Sequence, residues 1–349
     1  MHSGTIYTAK HNGGEMTLWK KLIITAIIAT IVIIAGTVIY YRYFAKRRLI
    51  ISTTTSLYDT GLLDLIEKDY ESKHNDIDIQ IIAAGTGIAI QHAKSGDADL
   101  ILVHSPSMEK TFLEEGYGVN RKIFAYNFFT IVGPQSDPAG ISGKNATEAL
   151  KSIVAYGDSH PNIILWVSRW DNSGTHSKEQ ALWKAAGYNY TVIFNKPWYA
   201  KAGSGMGDTL QLTDQKSAYT LSDVGTYLKF YKDGVISLKA LITEDTSLLN
   251  VYSAIAVKPS VPANKTVHEQ INFKDAMDFI QYLVSPETQQ LITNYGKDAY
   301  GQSLFFGAVD PLRNNEQPIA GWIKAYAYIN GYECPPQYRS DYEELYTYG

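Results

Sequence analysis

Residues 49–104 read LIISTTTSLYDTGLLDLIEKDYESKHNDIDIQIIAAGTGIAIQHAKSGDADLILVH, and the order of patterns within them decides the fold. LIISTTT is aliphatic and β-branched, as a strand requires. Leu62, Leu63, Ile66 and Tyr70 then recur at helical spacing. Ile77, Ile79 and Ile81 alternate with their neighbours as a strand does, residues 88–94 suit a short helix, and DLILVH at 99–104 is a buried strand. Strand, helix, strand, helix, strand is the signature of a parallel sheet with helices on its faces.

Outward from this stretch the α/β pattern resumes after residue 135. It predicts a helix near 147–156, a strand in IILWVS, a helix over 175–186 stopped by Gly187, and a strand in TVIF at 191–194. A helix around 208–215, a strand in SAYTLS and a helix over 224–231 follow. FFTIVGP at 128–134 and YSAIAVKP at 252–259 are apolar runs closed alike by Val-x-Pro. They fit paired crossover strands between two lobes, and equally two unrelated edge strands. Residues 273–283 and 286–295 read as helices returning to the first lobe. The expected division is an N-terminal segment over 1–48, lobe I over 49–133 with 250–349, and lobe II over 134–249.

The chain has 349 residues, 45% of them hydrophobic and 19% charged, a globular composition with room for two domains. Its single cysteine, Cys334, excludes an internal disulfide framework and a cysteine-rich zinc module. Residues 22–39 (LIITAIIATIVIIAGTVI) carry no charge and are flanked by Tyr40 and Tyr41, which favours a membrane anchor. A cleaved signal peptide led by Lys20 and Lys21, or by a start at Met16, is the alternative. Arg42, Lys46, Arg47 and Arg48 would by the positive-inside rule hold the body in the cytoplasm; the character of the body argues for an extracytoplasmic one. Lys10 adds to the opposite side. Net charge is −4, yet the seven basic residues before Leu49 leave 24 basic against 34 acidic residues in the body. Such a body lacks the positive surplus that nucleic-acid binding needs. Sequons at Asn145, Asn189 and Asn264 break no tie.

Four features sit where strands hand over to helices, where ligands bind in open α/β sheets. Ser52-Thr53-Thr54-Thr55-Ser56 offers five hydroxyls ahead of a helix, more than one cap needs. Gly85-Thr86-Gly87 permits close backbone approach and equally makes a plain tight turn. In SRWDNSGTHSKE (168–179), Arg169 enters a loop whose Ser173, Gly174 and Thr175 open a helix. An arginine suits a tetrahedral oxyanion, although Asp171 or Glu179 could hold it as a structural ion pair. The fourth, GSGMGDT at 203–209, fits neither phosphate-loop nor dinucleotide patterns and reads as a hinge or ligand-adjacent loop. H-E-x-x-H, G-x-S-x-G and C-x-x-C are absent. Asp171, Ser173 and His176 lie too close together for a triad, and His176 reads as a surface residue of a first helical turn. Binding therefore leads over catalysis, with no enzyme activity, cofactor or metal expected.

The TTTS run followed by DTGLL, the Gly-Thr-Gly turn, SRWDNSGTHSKE, GMGDTL, GTYL at 225–228 and SPETQQ at 285–290 together resemble the tungstate-binding proteins of tungstate ABC importers, over about residues 49–312. The resemblance implies a two-lobed periplasmic-binding-protein type II fold closing on tungstate, with molybdate as a second ligand. It implies ligand roles for Thr53, Thr54, Thr55, Ser56, Thr86, Arg169, Ser173, Gly174 and Thr175, and permease and ATPase subunits as partners. Trp170 stands where glycine is expected, Val224 where arginine is expected, and a Tyr-rich tail after Leu312 does not align. The expectation is a monomeric, membrane-anchored, extracytoplasmic binder. Sulfate or phosphate capture, or an enzyme or sensor on the same scaffold, are the alternatives.

Overall fold

The structure is a computed structural model describing residues 17–43, 46–243, 245–259 and 271–347. Lys10, Met16 and the Asn264 sequon lie outside the described residues, as do the side chains of Tyr40, Tyr41 and Arg42. The chain divides into two units between Arg47 and Arg48. In the first, Leu18–Tyr43 is one helix, α1. Its Leu18–Thr37 stretch of 20 residues, about 30 Å at ~1.5 Å per residue, is long and apolar enough to cross a membrane. Membrane anchors and signal sequences share that length and composition.

The second unit is two-lobed and mixed α/β. Its strands are β1 (Arg47–Thr54), β2 (Ile77–Ala84), β3 (Leu100–Val103), β4 (Gly118–Gly133), β5 (Trp166–Ser168), β6 (Tyr199–Lys201), β7 (Thr220–Asp223), β8 (Lys239–Ile242), β9 (Leu249–Val257) and β10 (Phe306–Gly307). The main sheet runs β10-β4-β9-β3-β1-β2, with β7 and β8 also on β4. β1 and β3 are parallel, pairing Ile51 with Leu100 and Thr53 with Leu102, as the opening pattern predicts. β9 is antiparallel to both β3 and β4.

β4 joins the lobes. Its first part pairs with β9 from Gly118 opposite Val257 to Phe128 opposite Leu249. From Phe129 onward it pairs instead with β7 and β8. The two Val-x-Pro strands are thus neighbours, but their similar ends do not face each other. Tyr252 to Val257 oppose the beginning of β4, while FTIVG serves the other lobe. One core gathers Ile51, Leu63, Tyr70, Leu100, Phe124 and Tyr252. The other gathers Phe129, Ile131, Ile153, Trp166, Trp183 and Trp198. Phe124 and Phe129 lie five residues apart on one strand and belong to different cores.

One predicted strand is a helix. Residues 190–193 form a single turn, α8 (Tyr190–Ile193), in which Asn189 Oδ1 accepts from Thr191 N at 2.9 Å and only Ile193 is buried. The capping asparagine outweighs the β-branched content of TVIF. The neighbouring strand is β6, parallel to β5.

The Tyr-rich segment is folded, not appended. A helix over Ile319–Ala327 packs Ile323 and Ala327 against Ile123 and Val251. Further on, Glu333 accepts from Lys122 Nζ at 2.9 Å and from Ile123 N at 2.8 Å, and Lys122 also donates to Leu345 O at 2.6 Å. Glu333 is 4% exposed. Removing one partner of a buried pair costs about 3–5 kcal/mol, whereas replacing both with apolar groups is often neutral. Glu333→Ala should therefore lower the unfolding free energy read from urea titration by that order, and the Lys122→Met, Glu333→Leu double substitution should lower it less.

Candidate functional site

β1 ends at Thr54 and the chain turns directly into α2 (Thr55–Asp59). Thr54 Oγ1 caps that helix, accepting from Leu57 N at 3.3 Å, and Ser56 Oγ donates back to Thr54 Oγ1 at 3.4 Å. Thr53 is a strand residue whose hydroxyl donates to Leu102 O at 3.0 Å, so its side chain is withdrawn from the ligand role the resemblance implies. Thr55 reaches across to the other lobe, where its Oγ1 accepts from Arg169 Nη2 at 3.0 Å.

Thr86 opens α4 (Thr86–Ser95) after Gly85, which supplies no side-chain cap. Its hydroxyl is buried and, among the described residues, has no hydrogen-bond partner. The adjoining glycines allow contact with the Arg169 loop. Gly87 N donates to Asn172 O at 3.3 Å, and a Cβ on Gly87 would lie 2.2 Å from Asn172 Nδ2. A Cβ on Gly85 would lie 3.3 Å from Asp171 O. A side chain at Gly87 would have to displace the Asn172 amide, and one at Gly85 would press on the Asp171 carbonyl, so glycine eases both approaches.

Arg169 follows β5 and is 1% exposed. Nη2 donates to Thr55 Oγ1 and pairs with Asp171, while Nε and Nη1 are buried without partners. The ion-pair alternative is thus half realised. Glu179 takes no part in it, accepting instead from Ser168 Oγ at 2.7 Å, Tyr199 Oη at 2.7 Å and Trp166 Nε1 at 2.8 Å. Ser173 caps α7 (Gly174–Ala185), accepting from His176 N at 3.1 Å. Thr175 Oγ1 is buried and unpartnered. Four buried polar atoms without partners, on Thr86, Arg169 and Thr175, therefore sit on segments that touch one another. Native proteins rarely leave such groups unsatisfied, which makes this the candidate site.

His176 corrects the expectation of a surface residue. It is 7% exposed, with Nδ1 accepting from Asn172 N at 3.2 Å and Nε2 bonded to Tyr190 Oη at 2.9 Å. These bonds fix the loop and leave no triad with Ser173. Trp170 has φ +50°, a left-handed conformation costly for a bulky residue, which accounts for glycine being expected there. Its ring packs on Phe194 at 4.9 Å, and Lys201 Nζ lies 4.2 Å from its centroid.

The remaining segments frame the site. Gly205 precedes α9 (Met206–Lys216), and a Cβ on it would be 3.9 Å from Thr55 Oγ1. Thr55, Asp59, Gly205, Asp208 and Lys229 line an adjacent cavity of about 490 Å³. Asp223, beside Val224, caps α10 (Val224–Lys232) by accepting from Thr226 N at 2.8 Å, and Thr226 Oγ1 contacts Ser56 O at 3.3 Å.

Sequence reasoning missed His104, the last residue of DLILVH. Asn250 Nδ2 donates to Asn127 Oδ1 and Tyr252 Oη, so Asn250 Oδ1 accepts from His104 Nδ1 at 2.7 Å. Nε2 is left as an unpartnered acceptor against Gly174, where a Cβ would lie 2.5 Å from it. Burial holds the imidazole down at about 4, neutral at pH 7. Its place at the carboxyl end of a parallel strand was the available signal.

Comparison with known proteins places this geometry. Residues 36–287 match the PBP superfamily domain. The tungstate-binding protein TupA of Peptoclostridium acidaminophilum is 38% identical over 251 residues, covering 72% of this chain and 82% of the relative. The chain belongs to the TupA tungstate-binding protein family. Two solved structures agree with that membership. The tungstate ABC transporter protein from Geobacter sulfurreducens is 39% identical, with a TM-score of 0.62, over 72% of this chain and all of the other. TupA from Desulfovibrio alaskensis G20 is 36% identical, with a TM-score of 0.61, over 75% and 98%. The family match ends before the C-terminal helix over Ile319–Ala327 begins.

Asp223 supplies a pH test of the frame. Burial pushes its carboxyl up to about 6, against the lowering effect of its bonds to Thr226. The folded state then binds this proton more tightly than the unfolded chain, so the contribution of Asp223 to stability falls as pH rises from about 4 to about 6. Asp223→Asn keeps an acceptor for Thr226 N and removes the titration. Its urea midpoint should gain on the wild type between pH 4 and pH 7.

Proposed function

We propose that this chain captures tungstate outside the cytoplasm and delivers it to the permease and ATPase subunits of an ABC importer. The observation that carries the reading is the set of buried, unpartnered groups on Thr86, Thr175 and Arg169, held on segments from both lobes. Two of those segments open helices, α4 and α7, whose first N–H groups add a positive field of roughly 0.3–1 kcal/mol each. Hydrogen bonds to a charged ligand contribute about 1.5–3 kcal/mol apiece. A tetrahedral dianion matches that inventory, with Arg169 as its cation, Thr55, Thr86 and Thr175 as hydroxyl partners, and Thr54, Ser56, Ser173 and Gly174 shaping the loops around it. Molybdate, nearly isosteric, is the second ligand. The relatives are named as binding proteins, which agrees with capture and not catalysis.

Phosphate needs an acceptor for its proton; Asp171 is committed to Arg169 and to Ser173 N at 3.2 Å, so a bound hydrogen phosphate would have to use His104 Nε2 or Asp208, and titration with each ion decides between them. The protein acts as a monomer with lobe I over residues 49–133 and 250–349 and lobe II over 134–249, tethered by α1.

Titration calorimetry of a soluble form, residues 48–349, refolded to strip carried-over ion, tests the assignment. Tungstate should bind tightly and sulfate and phosphate weakly. Arg169→Ala loses two unshared donors and should weaken tungstate at least about 100-fold, with Thr86→Ala and Thr175→Ala costing about tenfold each. An Arg169→Ala protein that binds normally but melts early would assign Arg169 to structure instead. Protease added to intact cells should digest the body; protection would place it in the cytoplasm.

A further inference from the structure

Lys178 is a second buried cation on the helix that carries Thr175. The two residues are three apart on α7 and so share a face. Lys178 is 5% exposed, and its Nζ donates to Leu249 O at 2.8 Å. The ammonium also lies 3.9 Å from the centroid of Tyr326 and 5.8 Å from that of Phe129. Among the described residues no carboxylate is within ion-pair distance of it. Asp245 is the acid that acts on it at longer range, and its oxygens are taken by Ala146 N and Ser247 N. Burial holds the ammonium down to about 7, so the position is costly and the cation–π contact is fully made only below that pH.

The partners of Lys178 come from two parts of the molecule. α7 roots Leu182 and Trp183 in the core that also holds Trp166. Tyr326 belongs to the C-terminal helix, which packs with Ile123, Leu249 and Val251 on β9 and the first part of β4. Leu249 is the first residue of β9, opposite Phe128 where β4 passes between lobes. One ammonium thus ties the helix bearing Ser173, Gly174 and Thr175 to the crossover strand and to an element beyond the family match.

We propose that Lys178 is a positioning residue: clamped by Tyr326 and the Leu249 carbonyl, it holds α7 in the closed arrangement and slows release of the bound oxyanion. This rests on the oxyanion reading of the site for its effect on release, but the clamp itself can be read without ligand. Cation–π contact needs the ring face of Tyr326 and not its hydroxyl. Lys178→Met strands no carboxylate but leaves the Leu249 carbonyl without its donor, so the control segment is needed to separate a general loss of stability from loosening of α7 alone.

The experiment uses the full-length chain in detergent, as wild type, Lys178→Met, Tyr326→Leu and Tyr326→Phe. Hydrogen exchange over Gly174–Ala185, with Ala146–Ser159 as the internal control, reads the clamp; a molybdate chase of bound tungstate reads release. Lys178→Met and Tyr326→Leu should exchange faster in α7 alone and release tungstate about tenfold faster, the equivalent of one desolvated cation–π contact. Tyr326→Phe should match the wild type in both. Unchanged α7 exchange alongside normal tungstate binding, or a Phe variant as loose as Leu, overturns the clamp. Faster α7 exchange in a protein whose wild type binds no tungstate supports the clamp and overturns the ligand assignment.

Discussion

A guanidinium sealed from water organises this protein. Arg169 is 1% exposed, and a buried charge is tolerated only when paired and hydrogen-bonded. Asp171 and Thr55 satisfy one nitrogen, leaving Nε and Nη1 without partners. Among the described residues the hydroxyls of Thr86 and Thr175, each able to donate, are likewise buried without partners, and His104 Nε2 stands beside them as an acceptor. Such a concentration of donors is unfavourable alone and becomes favourable around a dianion.

Bringing donors from two lobes together requires backbone to meet backbone. Gly85, Gly87 and Gly174 stand at three close approaches, where a Cβ would lie 3.3 Å from Asp171 O, 2.2 Å from Asn172 Nδ2 and 2.5 Å from His104 Nε2. β4 makes the approach repeatable, because one strand crosses from the core of Phe124 to the core of Phe129. A shared strand restricts the lobes to a bend about a few residues, in place of free movement on a linker. Lys178, which bonds the carbonyl of Leu249 opposite that crossing, sits where such a bend would be felt.

The departures from the family pattern have separate physical accounts. Trp170 carries a left-handed backbone angle, and the contacts of its ring with Phe194 and Lys201 offset the strain. At Val224 no second arginine reaches the site; the carboxylate of Asp223 and the hydroxyl of Thr226 brace the Ser56 turn instead. The Tyr-rich segment seals buried Arg121 and Lys122, through the carbonyl and carboxylate of Glu333, so it completes the first core.

The sequence by itself determined the alternation of strands and helices that opens the fold, the helices that start at Ser173 and Asp223, and the segments that meet at the site. These rest on period and capping, which act over a few residues. Only the tertiary structure decided which hydroxyl in the TTTS run meets Arg169, because Thr53, Thr54 and Thr55 differ in their distant partners and not in their chemistry. It alone decided that TVIF is a helical turn, that His176 is buried, and that His104 lies beneath Gly174. Each of these depends on contacts between residues far apart in the chain, where local propensity carries no information.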